Sequence, residues 1–226
     1  MASKTNSPWT LNEQNGIHSL TPTDIHIPDL GDFDVQVKIH AASLNYRDIV
    51  LAKASPFRTL SRYCICIHPL TTDQGSIPLP FRPGVIPGSD GAGIVEAVGS
   101  KVTGFRPGDR VCTHLTSQLP SSKPASMADI CAGLGQQLDG TLRTHGVFHE
   151  TALVPMPPSL DFLQASTLTC SGLTAWNALF GIGALRPKKG NYVLVQGTGG
   201  VSIAALQVRI FDYLDIILLF AVIPTK

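Results

Sequence analysis

Three stretches of this 226-residue sequence bring together residue types that could do chemistry. Gly197-Thr198-Gly199-Gly200-Val201-Ser202 follows the short apolar run Tyr192-Val193-Leu194-Val195-Gln196 and opens an Ala/Leu-rich segment. A strand, a glycine turn and a helix start are the parts of a dinucleotide pyrophosphate site, where small residues let phosphate reach unpaired backbone N–H groups. Ser202 stands where Gly-x-Gly-x-x-Gly has its third glycine, a small residue compatible with close helix packing. Cys64-Ile65-Cys66-Ile67-His68 offers soft ligands at close spacing. A structural zinc needs four ligands, and no second cluster at matching spacing exists, so no metal is expected there. Finally, Asn45-Tyr46-Arg47-Asp48 is a polar run at the end of a strand; on residue types alone Asn45 caps a turn and Arg47-Asp48 is a structural pair.

The elements that must position these groups read as follows. Asp34–His40 alternates polar and apolar residues, a strand with Val35, Val37 and Ile39 inward. Ile94–Val98 is a second strand, entered through Pro83-Gly84-Val85-Ile86-Pro87-Gly88-Ser89-Asp90-Gly91-Ala92-Gly93 and left through the turn Gly99-Ser100-Lys101. Phe105–Val111 turns into a third strand, and Gly146–Pro155 reads as one long strand. Ser159 is the expected N-cap of a helix with Asp161 in its first turn. Leu173, Trp176 and Phe180 fall at helical spacing and are expected to form a core stripe.

Pro-Gly-x-Ile-Pro-Gly-Ser-Asp-Gly-Ala-Gly at 83–93, then Val98-Gly99-Ser100 and Pro107-Gly108-Asp109-Arg110-Val111, resembles the barrel domain of medium-chain dehydrogenases/reductases, in the zinc-less quinone-oxidoreductase-like branch that includes enoyl reductase domains. The resemblance runs from about Asp34 to Gln207. It implies a GroES-like β-barrel followed by a Rossmann-like nucleotide unit, a mixed β and α/β fold, with a barrel domain over 1–155 and linker helices plus nucleotide unit over 156–226. It also implies hydride transfer between NAD or NADP and a carbonyl, alcohol, quinone or enone. Asn45, Tyr46 and Thr174 would then line the site, and Gly197, Thr198, Gly199, Gly200 and Val201 would hold the cofactor. Zinc-dependent relatives carry a cysteine where this chain has Asn45 and Gly-His-Glu where it has Gly88-Ser89-Asp90, so no catalytic zinc is expected, and Cys170 reads as a small packed residue. Cys131 stands alone where structural zinc would need four cysteines.

Two segments depart from the pattern. Ala54–Gln74 reads as an insertion without a structural role. After Gln207 the pattern fails; Asp215 precedes its apolar run, whereas a ribose-binding acid must follow the second strand. The nucleotide unit is therefore expected to be incomplete and to bind NAD(P) poorly or not at all. The alternatives are a non-catalytic fragment acting through interaction, such as a homodimer, and a zinc alcohol dehydrogenase, which the missing ligands disfavour. The net charge of +1 gives no reason to expect nucleic acid or a membrane surface. A polar N-terminus and five cysteines, an odd number at irregular spacing, point to a reducing compartment, the cytoplasm. The family resemblance implies a small-molecule substrate.

Overall fold

The computed structural model describes residues 5–53, 81–119, 125–181, 183, 186–188, 191–209 and 215–219. The segment 54–74, with Cys64, Cys66 and His68, lies outside them. Contacts group the chain into two compact units, Met1–Ser166 and Thr167–Lys226.

The first unit opens with short strands β1 (Thr5–Asn6), β2 (Trp9–Leu11), β3 (Leu20–Pro22) and β4 (Ile25–His26). These pair as two antiparallel ribbons, β1 with β4 and β2 with β3. The main sheet comprises β5 (Asp34–Ser43), β6 (Asp90–Val98), β7 (Arg110–Thr113), β8 (His145–His149) and β9 (Leu153–Pro155), in the order β8-β5-β6-β7-β9. Helices α1 (Tyr46–Lys53), α2 (Met127–Cys131) and α3 (Phe162–Ala165) complete the unit.

Closure follows from the last two strands. The expected single strand over 146–155 is broken by a 3-10 turn at Glu150–Ala152, and its halves pair at opposite edges, β8 with β5 and β9 with β7. Across a flat five-stranded sheet those edges would lie about 19 Å apart, four strand spacings. A 3-10 turn of this length advances about 8 Å. The sheet must therefore curl until its edges meet, which is a barrel. Val35, Val37, Val95, Val111, Phe148 and Leu153 fill it, each at most 5% exposed. A bulge in β6 sets which residues point inward. Gln36 faces Ala97 but Val37 faces Val95, so Glu96 is the extra residue. Val98 consequently packs on the same core as Val95, although strict alternation would put them on opposite faces.

Met156 and Ala165 pack with Ala92 and Cys112 of the barrel sheet. The N-cap of α3 is Asp161, not the expected Ser159. The Asp161 side chain accepts from Gln164 N–H at 2.7 Å while Gln164 Oε1 accepts from Asp161 N–H at 3.1 Å, a reciprocal box that a serine two residues upstream cannot reach.

The second unit runs through a π-helical turn at Leu168–Gly172, α4 (Leu173–Phe180), β10 (Tyr192–Gln196), α5 (Gly200–Arg209) and β11 (Asp215–Leu219). β10 and β11 are parallel neighbours, which α5 connects. The core here is Ala175, Leu179, Phe180, Val195 and Ala205. Of the expected stripe only Phe180 is buried; Leu173 and Trp176 are 58% and 52% exposed. The buried face of α4 runs through Ala175 and Leu179, four apart, and turns the other two outward.

Candidate functional site

The residues singled out in the sequence fall on two separate cradles, one in each unit. In the first unit β5 delivers the chain to Asn45, where α1 begins. Asp48 lies on the first turn, and its Oδ2 accepts from Asn45 N–H at 2.8 Å, while Asp48 N–H donates to the Asn45 carbonyl at 3.0 Å. This reciprocal bonding is why the helix starts here: the carboxylate satisfies a donor at the helix start. Burial pushes the Asp48 carboxyl above its usual value, opposed by the Asn45 N–H, the Arg47 charge and the Gly88 N–H. Arg47, whose charge acts on Asp48, also reaches residues far along the chain. It donates from Nη1 to the Leu134 carbonyl at 3.0 Å and from Nη2 to Oε1 of the fully buried Gln136 at 2.5 Å. Tyr46 is 54% exposed. Asn45 Nδ2 and Asp48 Oδ1 are enclosed, and neither has a hydrogen-bond partner.

The Gly88-Ser89-Asp90 segment is locked into the barrel. Ser89 Oγ donates to Asp90 Oδ1 at 2.6 Å, Thr113 Oγ1 donates to the Ser89 carbonyl at 2.7 Å, and Thr141 Oγ1 donates to the Asp90 carbonyl at 3.1 Å. Cys112 is buried, its Sγ 3.6 Å from the Ala165 carbonyl, and burial pushes its thiol up, away from the thiolate that a metal would need. His114 is held toward the neutral form by burial.

In the second unit β10 ends at Gln196 and Gly197 turns the chain at φ +81°, a conformation that a side chain would strain. The Gly199 carbonyl accepts the Ile203 N–H at 3.0 Å, so α5 starts directly behind the turn. By helix geometry the N–H groups of Gly200 and Val201 lack an intrahelical acceptor. A Cβ at Gly199 would meet nothing within 4 Å, so the loop is open on that side; a Cβ at Gly200 would lie 2.6 Å from Ser171 Oγ. Thr198 and Thr174, the latter in the first turn of α4, are exposed. Asp215 opens β11 opposite Tyr192, at the other end of the strand pair from the glycine turn.

Residues 31–158 match the alcohol dehydrogenase GroES-like domain family. The chain belongs to this family, within the medium-chain dehydrogenases/reductases. It is 42% identical over 197 residues to a zinc-type alcohol dehydrogenase-like protein of Schizosaccharomyces pombe, covering 86% of this chain and 50% of that protein. It is 32% identical over 187 residues to human quinone oxidoreductase, covering 82% and 44%. The crystal structure of a Pseudomonas syringae pv. tomato DC3000 quinone oxidoreductase superposes with a TM-score of 0.68 at 25% identity, covering 94% and 52%. The chain thus spans about half the length of the curated relatives it matches.

The zinc in the yeast relative's name is tested by the donors present here. Asn45 offers an amide, Ser89 is bonded to Asp90, and among the described residues no three His, Cys, Asp or Glu side chains converge. That donor set does not fit a catalytic zinc. The glycine loop, by contrast, fits a pyrophosphate: its surface is open at Gly199 and backbone N–H groups face outward from the helix start. The sequence pairs Asp48 with Arg47, and misses that its Asn-x-x-Asp spacing from Asn45 is a helix-start signal.

Proposed function

We propose that these residues serve a nicotinamide-dependent oxidoreductase without catalytic zinc, acting on a carbonyl, alcohol, quinone or enone. The observation that carries this reading is the strand, left-handed glycine turn and helix start at 192–209 in a chain whose barrel belongs to the family. Functionally, 1–155 forms the barrel domain and 156–226 the linker helices and nucleotide unit. When bound, the nicotinamide supplies or takes the hydride. The chain's own part is to hold and orient. Gly197, Thr198, Gly199, Gly200 and Val201 cradle the pyrophosphate through backbone N–H groups. Asn45 and Tyr46 serve the substrate carbonyl, and Thr174 serves the nicotinamide. The compartment is cytoplasmic, in keeping with free Cys112 and Cys131. Among the described residues no helix is long and apolar enough to cross a membrane.

The 226-residue chain alone is expected to hold the cofactor weakly, because the parallel pair β10–β11, the one found among the described residues, supplies only the start of a doubly wound sheet. Fluorescence titration with NADPH and NADH tests this: dissociation constants weaker than about 100 μM are expected, under 6 kcal/mol of binding. A micromolar constant would overturn the weak-binding part and would also choose between the cofactors. A second reading, an interaction module or homodimer, draws on Tyr192 and Leu194, which are 71% and 55% exposed on the sheet face away from Val193 and Val195. Light scattering that gives a concentration-independent monomer would remove it.

A further inference from the structure

We propose that the nucleotide unit reads the diphosphate of its ligand and not the 2′ position of the adenosine ribose, so that it takes NADH and NADPH alike. This rests on the reading that the glycine turn holds the cofactor pyrophosphate. In doubly wound folds an acid at the end of the second strand, about twenty residues beyond the first glycine, hydrogen-bonds the ribose 2′-OH. The same carboxylate repels a 2′-phosphate, itself strongly anionic at neutral pH. Here β10 and β11 run parallel with Gln196 opposite Leu219, so Leu219 occupies the strand end beside the glycine turn. Asp215 pairs with Tyr192 at the other end, about 13 Å back along four residues of strand. Residues 216–226 contain no further acid.

The other charged residues described in this unit also belong to the end away from the turn. Arg186 stands over the Phe180 ring at the end of α4, 5.3 Å from its centroid. Lys188 precedes β10, and its N–H donates to Asn191 Oδ1 at 2.8 Å. Arg209 is the last residue of α5. Around the turn the residue types are neutral: Gln196 before it, Thr198 within it, Ser202 behind it, and Ser171, whose Oγ approaches Gly200. What holds an anion is therefore the N–H groups of Gly200 and Val201 with the positive end of the α5 dipole. A diphosphate meets those donors identically in NADH, NADPH and ADP-ribose. Among the described residues the strand end offers a 2′ substituent neither a carboxylate, which would favour the hydroxyl, nor a guanidinium, which would favour the phosphate.

The test is nuclear magnetic resonance on the full, isotopically labelled chain, which needs no turnover and suits weak binding. NADH, NADPH and ADP-ribose are titrated separately at one ionic strength while the Gly199, Gly200 and Val201 amide signals are followed. All three ligands should shift these amides saturably, with dissociation constants for NADH and NADPH within about threefold of each other. A preference of about tenfold or more for either dinucleotide overturns the proposal and leaves the nicotinamide reading standing. Equal binding of the dinucleotides with no response to ADP-ribose would put the affinity on the nicotinamide, and that too overturns this proposal alone. No response to any of the three overturns both. Leu219→Asp should create a preference for NADH of at least about tenfold, the worth of a hydrogen bond to a charged group, and Leu219→Asn should leave the parent ratio. An unchanged ratio in a folded Leu219→Asp chain overturns the placement of the ribose at the strand end and the proposal with it. If Leu219→Asp does not fold, the parent ratio decides.

Discussion

Gly140→Ala should be among the most damaging small substitutions in the barrel. Gly140 is buried, and a Cβ there would lie 2.6 Å from the Pro87 carbonyl and 2.8 Å from the Ile86 carbonyl, closer still to that of Gly88. All three are backbone atoms, so no rotamer relieves them. To regain ordinary contact the 86–88 segment would have to retreat by more than about 1 Å. That retreat breaks the bonds joining the two strips of chain. Gly140 N–H donates to Ile86 at 2.7 Å, Thr141 N–H to Pro87 at 3.0 Å and Gly88 at 3.1 Å, and Leu142 N–H to Pro87 at 3.1 Å. At about 1 kcal/mol net each, the loss is about 3–4 kcal/mol. Urea unfolding reads it directly: with a slope of about 2 kcal/mol per molar, the midpoint should fall by about 1.5–2 M. Gly104→Ala is the control, since its Cβ would find only Glu150 Oε2 at 4.0 Å, and it should be neutral or gain up to about 1 kcal/mol. A Gly140→Ala midpoint within 0.5 M, roughly 1 kcal/mol, of the parent would refute the claim that this approach is rigid.

Phe148→Ala should cost about 4 kcal/mol by calorimetry or urea melts, because the ring is 3% exposed in the barrel core and also lies under the Arg143 guanidinium, 4.8 Å from its centroid. Asp161→Ala should cost about 1 kcal/mol through loss of the box at the start of α3, and Asp161→Asn should recover most of it in the same melts. His114 gives a pH signature. Burial holds its pKa below 6.5, so as pH falls through that value the unfolded chain takes up a proton that the folded chain does not, and stability should decline. His114→Gln should flatten the stability profile below pH 6.5, and an unchanged slope would place the dependence elsewhere.

Much of the barrel was legible because alternation along a half-buried strand is a strong signal: Val35 and Val37 point inward as the pattern requires. The glycine turn was legible for a related reason, since Gly197 sits at a backbone angle that few other residues adopt. What could not be read depends on partners distant in sequence. The break at Glu150–Ala152 exists because β8 and β9 belong to different neighbours, β5 and β7. The bulge at Glu96 shows only against its facing strand. The outward turn of Trp176 follows from which face of α4 meets Val195 and Ala205. The Arg47 charge acts on Asp48, as a local pair would, but the bonds from Arg47 to Leu134 and Gln136 reach nearly ninety positions along the chain and could not be read locally.

The closing turn at Glu150–Ala152 also bears on how the barrel forms as it leaves the ribosome. β5 is made early but lacks its partner β8 until residue 149, and β7 waits for β9 until residue 155. Throughout that interval the nascent chain exposes two strand edges and the apolar residues between them, an invitation to misfolding. Both edges are then covered within a few residues of synthesis, so the barrel completes almost at once and late. Released chains that end just before 145 and just after 155 should be protease-sensitive and protease-resistant respectively, with a sharp step between them.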